Sequence, residues 1–179
     1  MFDSAMKDNN QKAIDIVKST CSNSSGVRKT AFGILESMMF QHDQVEIPVN
    51  HRFHGDMYLR EITLKKDTLL TGRIHKFDHF DIMLSGKIIV STDDGQVKEM
   101  SGLNIMKGKA GKKRAGYVLE DTHWITIHSA QEQEPENMVE FLTVETFEEL
   151  HEFNEHLALA LKQINDHKEM IGYKEDLCQ

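Results

Sequence analysis

With 179 residues, 39% of them hydrophobic and 28% charged, the chain has the size and balance of one globular domain with a real core. A formal net charge of −8 excludes a general nucleic-acid binder, which needs a concentrated positive surface. No stretch approaches the ~20 apolar residues of a membrane helix, and the opening MFDSAMKDNNQK lacks the regions of a secretory leader, so a cytoplasmic location is expected. Cys21 and Cys178 stand near opposite ends without a CxxC pair, which predicts free thiols and no disulfide framework.

In chain order the pattern reads helix, sheet, helix, dividing into a helical segment over 1–45, a β-barrel over 46–145 and a C-terminal helix with its tail over 146–179. Ala13, Ile14 and Val17 recur at helical spacing between Asn10 and Thr20. Ser25 is placed to cap a second helix with Val27, Ala31, Ile34, Leu35 and Met38 turned inward, and Met38 and Met39 read as core or interface filling. From Met57 the pattern changes to short runs: MYLREITL, TLLTGRIH, FDIML, KIIVST, QVKEM, LNIM, AGYVLE and HWITIH, broken by KKD, SG, DDG and EDT. Asp93, Asp94 and Gly95 signal a hairpin, and Glu120, Asp121 and Thr122 are expected to form another turn with no acid–base role. Strands at this spacing, with no helix between them, predict a mainly β fold, a largely antiparallel jelly-roll barrel with flanking N- and C-terminal helices. MVEFLTV is expected as a last strand. Thr146 to Asp166 follows as a helix with Phe147, Leu150, Phe153, Leu157 and Leu161 on one face and a capping box of Thr146 and Glu149. His151, His156 and His167 fall on its solvated face.

The most informative stretch runs from Gly72 to Val90, GRIHKFDHFDIMLSGKIIV. Residues two apart on a strand share a face, so Arg73 and His75 point the same way, and His79 joins them after a small irregularity at Lys76 to Asp78. This segment resembles the first motif of the cupin superfamily, an HxH followed by a glutamate and then a glycine. Anchored on Gly86, the comparison puts His79 at the glutamate, His75 at the second histidine and Arg73 at the first. KAGKKR, ending on Arg114, resembles the second motif with arginine at its final histidine and its proline missing. The resemblance covers roughly residues 57–130 and extends, in the phrasing TGRIHKFDHFDIMLSG and KAGKKRAGYVLEDTHWITIH, to small cupin-like proteins of phages and prophages.

A cupin metal site takes three imidazoles and a carboxylate, so the resemblance implies a degenerate metal motif here. Arginine offers only donors and would repel a cation, which disfavours a metal cofactor. The alternative is a divalent ion on His75 and His79 with Asp81 or His128. His123 and His128 are five apart on a strand and face opposite sides, so only one of them can join. The first reading is a positive cup in which Arg73, His75, His79, Arg114, Lys112, Lys113 and Tyr117 bind a small anionic ligand, phosphorylated or nucleotide-like. Lys107, Lys109 and the Gly108 to Gly111 loop would add charge and N–H donors, against the simpler view that the lysines only solvate a loop. Trp124 is a possible stacking neighbour. On this reading the protein is a non-catalytic cupin, on the phage resemblance a sequestering protein of the host cytoplasm. The other readings are a metal-dependent cupin enzyme, an oxygenase or isomerase, and a structural homo-oligomerisation module. A homo-oligomer is expected under all three.

Overall fold

The computed structural model of the chain describes residues 2–22, 24–92, 94–130 and 134–170. Helix α1, Phe2–Ser19, buries Val17 completely and ends where the Thr20 hydroxyl turns back onto the Val17 carbonyl at 2.8 Å. Helix α2, Ser25–Met39, begins one residue earlier than expected, with Ser24 as its N-cap residue. It carries two apolar stripes. Phe32, Leu35 and Met39 take the core side, while Val27, Ile34 and Met38, expected inward, are each more than half exposed. At about 100° per residue these two triplets fall on opposite sides of the helix, and the one with the large aromatic wins the core.

The strands then follow: β1 Val49–His54, β2 Met57–Leu64, β3 Leu69–Thr71, β4 Ile74–His75, β5 His79–Ser91, β6 Val97–Ser101, β7 Asn104–Gly108 and β8 Ala115–Ser129. β1, not foreseen from the pattern, pairs with β2 through a hairpin at Gly55, whose φ is 54°. TLLTGRIH breaks into β3 and β4. The mainly β, antiparallel jelly-roll class expected from the sequence is the one observed, flanked by N- and C-terminal helices.

Two expected turns are absent from that arrangement. The SG between FDIML and KIIVST lies inside the single strand β5, and Glu120 to Thr122 lie inside the single strand β8. Both strands are long and irregular at the same place: their register shifts between Met83 and Ile88 of β5 as it passes His123 to Val118 of β8. Gly86 makes the approach possible. Its φ is 98°, and a Cβ built there would lie 2.3 Å from the Asp121 carbonyl oxygen and 2.5 Å from the Thr122 Cα. Glycine here marks a close backbone crossing where the local pattern suggested a reversal.

The crossing organises the sheet. The first half of β5 pairs with β7 and the second half with β6; the first residues of β8 pair with β3 and its second half with β2. Each long strand thus serves two walls, which curve around an interior lined by Ile62, Leu64, Met83, Ile88, Val90, Met100 and Val118. Outward-facing Ile89, Ala115 and Tyr117 are covered by Val17, Phe32 and Leu35 of the two helices. Each large side chain buried there contributes about 2 kcal/mol.

MVEFLTV forms mostly a helix, α3 Pro135–Leu142, and only Thr143–Val144 form a strand, β9, paired with β4. Pro135 in the first turn presets helical backbone where the apolar run alone suggested a strand. Helix α4, Phe147–Met170, has the expected cap: Thr146 Oγ1 accepts the Glu149 N–H at 3.1 Å, and the Glu149 carboxylate accepts the N–H of Glu145, one residue before the cap, at 3.0 Å. Phe147, Leu150 and Phe153 are half-buried. Leu157 and Leu161, expected on the same buried face, are 42% and 51% exposed because contacts with the barrel end near Phe153, which packs edge-on against Phe77. His151, His156 and His167 are exposed as expected. Cys21 is a free thiol; Cys178 and Asp93 lie outside the described residues. No helix among the described residues is long and apolar enough to cross a membrane.

Replacing Gly86 by alanine forces a Cβ into the β5–β8 crossing. Unfolding in urea is expected to show a loss of ~2 kcal/mol or more relative to wild type.

Candidate functional site

Strand register stacks the inward side chains in rows. His79 of β5 faces Gly108 of β7, and since Phe80 pairs with Ile127 and Asp81 with Thr126, His79 also falls beside His128 of β8, which in turn pairs with Tyr58 of β2. The next row is Arg60, Thr126, Asp81 and Met106, and below it come Ile62, Trp124, Met83 and Asn104. Alternation along every strand turns these rows into the same interior. Two polar rows therefore sit at one end of a cavity of about 260 Å³ whose far end is apolar, lined by Ile62, Leu64, Ile88 and Val90.

His75 reaches this end from the other side, on β4 of the small sheet. The three rings stack, with centroids 4.0 Å apart for His75 and His79, 5.0 Å for His75 and His128, and 4.9 Å for His79 and His128. One nitrogen from each lies within 4.8 Å of the others. His75 Nδ1 and His128 Nε2 share a hydrogen bond at 2.9 Å. His128 Nδ1 is buried without a partner. A buried N–H in that position would cost more than a buried lone pair, so we assign the hydrogen of His128 to Nε2, which leaves Nδ1 basic.

Burial first, and then the charges of its two histidine neighbours, push His75 down to about 3. Burial, and then the charge of His79, takes His128 down to about 4. Both are neutral at physiological pH. His79 differs: burial opposes its charge, but the hydrogen bond and charge of Asp81 outweigh it and raise its pKa. Its Nδ1 lies 3.0 Å from the Phe77 carbonyl, which fixes the hydrogen there and leaves Nε2, 3.4 Å from Asp81 Oδ2, as the basic nitrogen. Gly108 gives this ring its space, since a Cβ at 108 would lie 2.0 Å from His79 Nε2.

Asp81, only 5% exposed, is the hub of the polar rows. Its Oδ1 accepts from Trp124 Nε1 at 3.1 Å and from the Thr126 hydroxyl at 2.9 Å, and its Oδ2 accepts from Arg114 Nη1 at 3.1 Å. Burial alone would raise its pKa, but His79 first, then Trp124 and Arg114, hold it at about 2. As one of the alternative metal ligands, Asp81 stands outside the set that converges, its Oδ2 meeting His79 on Nε2; the third convergent group is His128.

The remaining residues named from the sequence are placed as follows. Arg114 points inward and is paired with Asp81. Arg73 lines the cavity on the side of His75 but is held at the rim, Nε on Thr143 Oγ1 at 2.7 Å and Nη1 on Glu145 at 2.5 Å, because the β4–β9 register sets position 73 across from 145. Lys112 lies half-buried at the rim. Lys113 turns the other way, its buried Nζ on Glu36 at 2.7 Å and on the Glu145 carbonyl at 2.9 Å. Tyr117 faces the helices, its hydroxyl between Asn10 Oδ1 at 2.7 Å and Asp67 Oδ1 at 3.0 Å, with burial and Asp67 pushing its pKa up to about 12. Lys109 pairs with Asp78 at 2.6 Å, and Lys107 is exposed on β7 opposite Phe80. The loop N–H groups are also taken: Ala110 donates to Asp78 and Gly111 to the His75 carbonyl. His123 faces outward onto Glu61 at 2.7 Å, so of the two histidines on β8 only His128 enters, as parity required. Arg60 was missed in the sequence; its signal is parity alone, two residues from Tyr58 and Ile62 on a strand with one buried face.

No protein-family model matches the chain, and no curated protein is significantly similar to it in sequence. Among solved structures it is similar in fold to KdgF from Halomonas sp., 16% identical, covering 56% of this chain and 96% of that one at a TM-score of 0.44. A cupin superfamily protein from Desulfitobacterium hafniense matches at 12% identity over 50% of this chain and 83% of its own, TM-score 0.41. A conserved protein of unknown function from Streptococcus pyogenes matches at 19% identity over 51% of this chain and 80% of its own, TM-score 0.40.

Both depressed histidines bind protons more readily unfolded than folded, so the stability they contribute is complete above 6.5 and is lost as pH falls toward 4. Unfolding free energies of the chelator-treated protein from urea titration are expected to fall across that window, by about 3 kcal/mol for His128 alone, and to fall less in His128→Gln. Asp81 acts in the same direction only below its ordinary 3.8, so the loss between 6.5 and 4 belongs to the histidines, and that below 3.8 is shared between Asp81 and His75.

Proposed function

We propose that the chain is a cupin-type protein that holds a divalent transition-metal ion on His75, His79 and His128 and receives a small organic molecule in the cavity beside it. The observation that carries this reading is the meeting of three imidazole nitrogens, from two sheets, within 4.8 Å. A tridentate imidazole set suits a first-row divalent ion and leaves positions open to a further ligand. Two of the three imidazoles are already unprotonated and so present lone pairs to an ion, while at His79 the neighbouring Asp81 favours the charged form and ligation competes with a proton. The buried, unpartnered His128 Nδ1 is a lone pair with nothing else to bond. A bound ion would supply a Lewis acid that polarises an oxygen of the neighbouring molecule. The Phe77 carbonyl fixes the His79 ring through Nδ1, and the apolar lining keeps water from the far end of the cavity.

The nucleotide-sequestering role suggested by the phage resemblance has less support. It needs several cations around a phosphate, and Lys109, Lys113, Arg73 and Arg114 are each paired with a carboxylate.

The expected self-association also has a surface. The outer face of the sheet carries Phe80 and Leu84 of β5 beside Leu103 and Ile105 at β7, between 40% and 66% exposed. A second copy of the chain is the occupant this face suits, since a twofold contact lets one apolar patch cover itself.

Metal analysis of protein grown with iron, manganese, nickel and zinc is expected to find about one ion per chain, absent from a His75→Ala, His79→Ala double variant. Gly108→Ala, which displaces the His79 ring, is expected to weaken metal retention by roughly tenfold to a hundredfold with an unchanged circular dichroism spectrum. Wild type that takes up none of these ions would overturn the reading. Light scattering is expected to give a dimer or larger symmetric assembly, and Ile105→Lys to shift it toward the monomer.

A further inference from the structure

Arg60 sits on β2 in the row of Thr126 and Asp81, half-buried, and lines the cavity one row from the histidines. Among the described residues it has no hydrogen bond and no ion pair. Asp81, the nearest buried carboxylate, is already committed to His79, Arg114, Trp124 and Thr126. Arg73 is balanced by Glu145 and Arg114 by Asp81, so of the three arginines lining the cavity Arg60 is the one without an ion pair among the described residues, while Lys112, which also has none, stands at the rim. Burial works against that charge, yet arginine does not give up its proton. A half-buried cation facing a cavity calls for an anion from outside the chain.

We propose that Arg60 anchors the carboxylate of a small monocarboxylic acid whose apolar body lies along Ile62, Leu64, Ile88 and Val90. The planar fork of a guanidinium meets a carboxylate with two parallel hydrogen bonds, and one such fork neutralises one negative charge. A phosphate monoester carries nearly twice that charge, and of the neighbouring lysines Lys113 is engaged with Glu36 and Lys109 with Asp78, which leaves only Lys112 at the rim. The apolar rows below Arg60 leave no polar partner for a second charged end, which selects a fatty or aromatic acid over a diacid. The proposal rests on the small-molecule reading of the same cavity and names its ligand class; it does not require the metal.

Isothermal titration calorimetry with benzoate and hexanoate, beside benzamide, hexanamide and phenyl phosphate, tests it on wild type before and after chelator treatment. At least one acid is expected to bind the chelator-treated protein, with the matching amide and phenyl phosphate weaker by tenfold or more. Arg60→Met is expected to lose roughly tenfold to a hundredfold in affinity for that acid, and Arg60→Lys to fall between. The His75→Ala, His79→Ala protein is expected to keep the acid while losing the metal, so failure of the metal centre and failure of the anchor give different results. Acid and amide binding equally well, Arg60→Met binding like wild type, or neither acid binding at all would overturn the proposal. The wild-type comparison decides the matter even if the Arg60 variants fail to fold.

Discussion

The antiparallel pairing of β5 with β8 is the constraint from which the rest follows. The two strands run beside one another for most of their length and bend together where Gly86 meets the backbone of Asp121 and Thr122. That shared bend lets each strand serve two walls, so the sheet curves around an interior without needing turns at its corners. It also fixes register. With side chains alternating strictly, a slip of one residue would send His79, Asp81, Thr126 and His128 to the outer face and bring Phe80 and Ile127 in.

Within that frame, one buried carboxylate organises the polar end. Burying Asp81 alone would be costly, and four partners from two strands and one loop offset the cost. Burial first, and then the charge of His79, keep the other two imidazoles neutral, while the commitment of Asp81 to His79 and Arg114 leaves Arg60 without an ion pair. The same charge distribution thus creates a donor set for a cation and, one row away, a receptor for an anion. Their separation along β2, β5 and β8 is set by the two-residue period of a strand.

Much of the fold was legible in local pattern. MYLREITL is a strand to the residue, Asp94 and Gly95 mark the β5–β6 hairpin, and Thr146 with Glu149 begin the last helix. The misreadings share a cause. Gly86 and Glu120 to Thr122 carry the composition of turns, but a glycine at a tight backbone crossing leaves the same local signature as a glycine at a reversal. Phe32 and Val27 both lie on apolar stripes of α2, and no helix sequence alone says which stripe meets a sheet. Pro135 settles MVEFLTV as a helix through a single residue's backbone geometry, against a run whose composition is equally that of a strand.

For the site, the sequence by itself determined that only one of His123 and His128 can face inward, since alternation along a strand is a local property; it also pointed His75 and His79 at one place, although the two come from different sheets. The resemblance that put arginines at histidine positions did not foresee that three histidines converge all the same. What only the tertiary structure decided is which long-range neighbours meet: that His128 completes the cluster, that Arg73 and Lys113 are drawn off by Glu145 and Glu36, and that Arg60 is left facing the cavity. Those outcomes depend on strand pairing between positions 70 residues apart, such as Ile74 with Val144 and Tyr58 with His128. A charge's partner is fixed by distance in space, which spacing along the chain does not encode.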